Sequence, residues 1–185
     1  MSQITVKSDF PKRRADSAGS VSGQRKELME YLDRYLNHCL KNKIKGALVY
    51  DIDDTIIENS GKEIPDVIKV YKKYAPHFDT YLVTARPAIA RQETQKMLHK
   101  MNIPYKGLYL LPIADEEDPG KFKYRMRCNF KKKHGRVLAA IEDQVREATP
   151  EPVPPVWHDL KYGPRGGALV QCGPKEEVGV LLPSL

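Results

Sequence analysis

The 185-residue sequence predicts an α/β protein built on a doubly wound, mostly parallel sheet. Three observations lead there. A short, continuously apolar stretch of the kind buried on both faces of a parallel sheet stands at residues 47–50, and further strand-like stretches follow at 80–83, 108–111 and 136–141. Segments with helical spacing alternate with them. Asp51, Thr84 and Asp143 each stand where one of these strands ends, and ligands of such sheets bind outside the carboxyl ends of the strands.

Residues 1–23 read as a flexible basic arm of Ser, Gly, Lys and Arg with little to bury, and 24–185 as one domain. Residues 24–43 read as a helix, since Leu28, Leu32, Tyr35, Leu36, Cys39 and Leu40 form one stripe; Gly46 ends that region. The first strand, 47–50, runs into an acidic loop. Residues 65–74 follow as a helix with Val67, Ile68, Val70 and Tyr71 inward. The strand 80–83 ends at Thr84, and a helix over 87–101 opens with proline in its first turn. After the strand 108–111 and the loop 112–120 comes a basic helix, 121–134, closed by Gly135. The fourth strand, 136–141, ends at Glu142-Asp143. Prolines at 150, 152, 154 and 155 mark an irregular stretch ahead of a β-rich tail over 168–171 and 178–182.

Composition narrows the class. No run of about eighteen apolar residues is present, so no membrane-spanning helix is expected, and the polar N-terminus lacks the apolar core of a secretory signal. Cys39, Cys128 and Cys172 are odd in number and far apart, which fits reduced thiols in a cytoplasmic compartment. A net charge of +7 favours an anionic substrate or a polyanionic partner. The five histidines lack metal-ligand spacing: His99 and His134 read as structural or solvated. Trp157 reads as packing, with stacking on a base as the alternative. Gly163-Pro164-Arg165-Gly166-Gly167 lacks the Lys-Ser/Thr of a phosphate-binding loop and reads as a turn.

The chemistry concentrates in Asp51-Ile52-Asp53-Asp54-Thr55. Two carboxylates two positions apart on an extended chain share a face, and they resist sharing a site unless a cation or a proton lies between them. That pattern suits a hard divalent metal and carboxylate chemistry on phosphate.

Together with Thr84-Ala85-Arg86-Pro87, Lys123, and Glu142-Asp143 with Glu147, this segment resembles the four motifs of haloacid dehalogenase-superfamily phosphatases over about residues 46–148. Glu58-Asn59-Ser60 and Asp143-Gln144 bring it nearest to the class B and IIIB acid-phosphatase group. The resemblance implies that Asp51 is the nucleophile and Asp53 the general acid and base. It implies that Asp51, Asp143 and the backbone carbonyl of Asp53 hold Mg2+. Thr84 and Lys123 would bind phosphate, with Lys121 the rival for the lysine. Asp54, Glu142 and Glu147 would stand behind these residues; for Asp54 the alternative is a polar residue that opens the loop. Glu142 replaces a frequent Gly, and Glu147 a frequent Asp.

Neither insertion point of that family leaves room for a cap: about ten residues follow Thr55, and the second gap is the loop 112–120. The site is therefore expected to be open unless another subunit covers it. The expected activity is Mg2+-dependent phosphomonoester hydrolysis through an aspartyl-phosphate, on nucleotides or nucleic-acid ends. The alternatives are a phosphoprotein phosphatase and a non-catalytic nucleic-acid-binding module.

Overall fold

A computed structural model describes residues 21–112, 118–143, 168–171 and 178–181 of the chain. Four helices and six strands follow one another as α1 (Val21–Lys41), β1 (Ala47–Tyr50), α2 (Pro65–Tyr74), β2 (Asp79–Pro87), α3 (Arg91–Lys100), β3 (Gly107–Leu111), α4 (Pro119–His134), β4 (Val137–Glu142), β5 (Ala168–Gln171) and β6 (Val178–Leu181). They form one sheet in the order β3-β2-β1-β4-β6-β5. Each neighbouring pair is parallel except β5 with β6. This is the α/β, doubly wound, mostly parallel architecture that the alternation predicts, and the described residues include no sizeable cap.

Strand residues alternate between two apolar layers because successive side chains point to opposite faces. Leu48, Tyr50, Leu82, Leu108, Leu110, Leu138 and Ile141 pack with α1, α2 and α3. The α1 stripe supplies Leu28, Met29, Leu32, Leu36 and Cys39, and α2 supplies Val67, Ile68, Val70, Tyr71 and Tyr74. Ala47, Val49, Tyr81, Val83 and Val137 face the other way, onto Phe122, Met126 and Phe130 of α4. Each fully buried aliphatic side chain contributes about 1.5–3 kcal/mol. Tyr81 stacks on Phe130 with ring centroids 4.1 Å apart, and its hydroxyl lies 2.8 Å from His134 Nε2. That contact ties the end of α4 to the start of β2, in keeping with a structural His134.

Several boundaries differ from the sequence expectation for local reasons. Helix α1 begins at Val21, inside the expected arm, and stops at Lys41; Lys43 then takes the left-handed conformation (φ 55°) that ends the helical course. Gly46 serves packing instead, since a Cβ there would meet the Arg136 and Leu138 side chains at 2.7 Å. Pro87 closes β2, and a 3₁₀ turn over Ala88–Ala90 precedes α3. Helix α4 starts at Pro119, two residues before the expected Lys121. Asp118 caps it, accepting from the Gly120 and Lys121 N–H groups, and proline takes the first helical position.

Candidate active site

Asp51 follows the last residue of β1. Its N–H donates to the Ile141 carbonyl at 3.0 Å, which fixes the end of β1 beside β4. The strand alternation that sends Val49 toward α4 sends Asp51 the same way, and the side chain is buried there, 6% exposed. Oδ1 accepts from the Ile52 N–H at 2.6 Å, and Oδ2 meets Lys123 Nζ at 2.6 Å. Lys123 is fully buried and also reaches Glu142 Oε2 at 2.9 Å. Arg127, one turn farther along α4, donates to Glu142 Oε1 at 3.3 Å. Two carboxylates and two cations thus form a connected buried group, the arrangement in which buried charge is tolerable.

This group gives Glu142 a role. Side by side at the ends of β1 and β4, Asp51 and Glu142 share the Lys123 ammonium. Lys121, the rival lysine, is exposed, and the apolar stripe Phe122, Met126 and Phe130 explains why. That stripe faces the sheet, and Lys123 and Arg127 sit at its edge, whereas Lys121 lies on the outer flank.

Asp53 lies at the rim, 40% exposed, and is gripped by Arg86. Arg86 Nη2 donates to Oδ1 at 2.7 Å and Nε to Oδ2 at 2.9 Å, a bidentate pair. Nη1 is braced by Thr94 Oγ1 at 3.3 Å and Met97 Sδ at 3.7 Å, both on α3. The hydrogen bonds it donates to Asp53 raise the Arg86 pKa from its already high value, against the effect of burial. Arg86 received no role from the sequence. Its available signal was its place two residues beyond Thr84 at the end of β2.

Thr84 is buried, and its Oγ1 accepts from the Arg86 N–H at 3.2 Å. The regular ladder with β3 also stops there, because the register shifts between Thr84 and Pro87. Asp54 braces the loop with its side chain. With φ at 52°, it accepts from Asn59 N at 3.1 Å and from Asn59 Nδ2 at 2.7 Å, while the Ile52 carbonyl gathers the N–H groups of Thr55, Ile56 and Ile57. The turn folds 51–59 back over a short span. Thr55 Oγ1 is buried inside it without a hydrogen-bond partner.

Asp143 is buried one residue past β4. Arg25, from α1, is buried within the fields of Asp54, Glu58, Asp66 and Asp143. Burial lowers its pKa, and those four carboxylates oppose the shift. No sequence motif pointed to Arg25. Glu147, Trp157, Gly163–167 and Cys172 lie outside the described residues.

Among the described residues, no group of three or more His, Cys, Asp or Glu side chains gathers for a metal. The set expected for Mg2+ asks less: the carboxylates of Asp51 and Asp143 and one backbone carbonyl. These are hard oxygen donors at the ends of one sheet, which is the donor chemistry this ion takes, with water completing its shell. The residues present fit it. Among the described residues, no helix is long and apolar enough to cross a membrane.

No family model matches the chain, and no curated protein matches it. Solved structures that share part of its backbone course include the following two. A chain of the Pnkp1/Rnl/Hen1 complex is 18% identical with a TM-score of 0.48, covering 56% of this chain and 41% of that one. A chain of the Pnkp1/Rnl/Hen1 RNA repair complex is 18% identical with a TM-score of 0.49, covering 57% and 38%. The chain thus matches about two-fifths of the length of each. Likeness at that level does not reach the chemistry, which has to come from this chain's own side chains.

Proposed function

We propose that the chain is a Mg2+-dependent phosphomonoester hydrolase that works through an aspartyl-phosphate on Asp51, with nucleotides or nucleic-acid ends as substrates. One observation carries the reading. Asp51 is a buried carboxylate held by Lys123 at a strand end, and a second carboxylate, Asp53, stands two residues away at the open rim in the grip of Arg86. The motif order that resembles haloacid dehalogenase-superfamily phosphatases supports it.

An Asp51 carboxylate oxygen attacks phosphorus, and the bond from phosphorus to the ester oxygen breaks. Asp53 gives its proton to the departing oxygen. The same carboxyl then takes a proton from water, whose oxygen attacks the aspartyl-phosphate; inorganic phosphate leaves and Asp51 is restored. Lys123 neutralises charge that builds on the phosphoryl oxygens, and Thr84 donates its hydroxyl to one of them. Mg2+, held by Asp51, Asp143 and the Asp53 carbonyl, would screen the like charges of nucleophile and phosphate. Arg86 sets where Asp53 stands, so Asp53 must exchange the guanidinium for the leaving oxygen when it delivers its proton.

Phosphate release from an aryl phosphate, with Mg2+ and with chelator, tests this on the wild type and Asp51→Asn. Metal-dependent release that the substitution abolishes is the expected result. Release that survives in Asp51→Asn excludes the nucleophile.

A further inference from the structure

We propose that the outer flank of α4 is a track for single-stranded nucleic acid leading into this site. The proposal deepens the phosphatase reading and rests on it for the position of the site. Helix α4 holds seven Lys and Arg in 16 residues and no Asp or Glu. Two of the seven, Lys123 and Arg127, turn inward onto Asp51 and Glu142. At about 3.6 residues per turn, Lys121, Tyr124, Arg125, Lys131 and Lys132 fall together on the opposite flank. All five are exposed.

Position gives this flank its meaning. Lys123 pins the first turns of α4 at the carboxyl end of β1, and His134 meets Tyr81 near the start of β2. The helix therefore runs from the site down the side of the sheet. Lys121 to Lys132 spans about 16 Å, with cations a turn or two apart. A chain of phosphates complements a row of that kind.

Tyr124 narrows the partner to single strands. It is one of three large apolar side chains exposed among the described residues, at 43%, and it lies in the row between Lys121 and Arg125. Cations interleaved with an exposed aromatic fit a single strand, whose unpaired bases offer a face for stacking; a duplex keeps those faces covered. The Arg125 guanidinium lies 5.6 Å from the centre of the Phe122 ring.

The test uses the full chain and a fluorescent single-stranded oligonucleotide with hydroxyl ends, which has no terminal phosphate to release. Anisotropy is read for the wild type, Tyr124→Ala and Lys121→Ser/Arg125→Ser/Lys132→Ser, with thermal melts to establish folding. Aryl phosphate turnover is measured in parallel. The track predicts binding that weakens with salt, a log–log slope shallower by about 0.7 for each phosphate contact removed, and a loss of about fivefold or more in Tyr124→Ala. Both variants should keep wild-type turnover of the aryl phosphate.

Equal affinity for duplex and single strand, or Tyr124→Ala binding as wild type, overturns the track. So does displacement of the oligonucleotide by an acidic phosphopeptide at matched charge. Aryl phosphate turnover without oligonucleotide binding sinks the track and leaves the phosphatase standing. Binding through the α4 residues without any turnover does the reverse.

Discussion

The two faces of the sheet are built on different terms. The face toward α1, α2 and α3 is a broad apolar layer from which the chemistry is largely absent. The face toward α4 has a narrow apolar strip of Phe122, Met126 and Phe130, continued at the carboxyl end of the sheet by the buried charges of Asp51, Lys123, Arg127 and Glu142. One helix thus packs the sheet and supplies the two cations buried with Asp51 and Glu142. Losing an apolar contact on the first face should cost stability alone. Losing a charge on the second should change stability and chemistry together.

The strongest way to sharpen that contrast is Asp51→Asn. Turnover should fall by about four orders of magnitude or more, the scale seen when a nucleophile is removed, while circular dichroism stays that of the wild type. Near-normal turnover would move the nucleophile elsewhere.

Arg86→Met comes next. It leaves Asp53 in place without its clamp, and kcat should drop by about a hundredfold or more, the scale of a misplaced proton donor. Arg86→Lys should recover little, because an ammonium cannot make the bidentate pair. The raised Arg86 pKa also fixes a sign. The guanidinium's stabilising contribution is complete at any pH below its ordinary value and fades only as pH climbs through the folded value. Between about pH 5 and 9, then, Arg86 itself adds no slope to a stability profile. A melt series that lost such a slope on Arg86→Met would break the assignment.

Lys123→Met tests the buried charges. Asp51 and Glu142 would share burial without their common ammonium, at a cost of about 3–5 kcal/mol read by denaturant unfolding. Adding Glu142→Gln should recover part of it. Leu82→Ala on the other face should cost about 2–5 kcal/mol, yet leave turnover per folded molecule unchanged. A loss of turnover there would mean that the two faces are coupled.

The smallest effect concerns the thiols. Cys39 is buried on the inner face of α1, and burial raises its pKa, whereas Cys128 is half-buried on α4. A thiol reagent at neutral pH should modify Cys128 well before Cys39. The reverse order would mean that the α1 layer opens more readily than α4.

Much of this was legible in the chain because it is local. Apolar runs of strand length name β1 and β4, and the stripe from Leu28 to Cys39 names the inner side of α1. Asp51 and Asp143 directly follow the last residues of β1 and β4, as counted, whereas β2 runs past Thr84 to Pro87. Where sequence reading placed α4 two residues late, the missing signal was the Asp118-Pro119 pair, a cap and a first helical residue read as loop. Glu142 was visible only as a departure from a pattern, because its partners lie 15 and 19 residues back on α4.

What the sequence determined alone is therefore the order of layers and the line of acidic and hydroxyl residues along one edge of the sheet. Both follow from periodicity, which each segment carries within itself. The tertiary structure decided which cation meets which carboxylate: Lys123 over Lys121 against Asp51, Arg86 on Asp53 across 33 residues, and Arg25 among the acids beyond β1. A charged side chain has no periodic signature that names its partner. Its pairing is set by where the backbone brings it and by the cost of burying it alone.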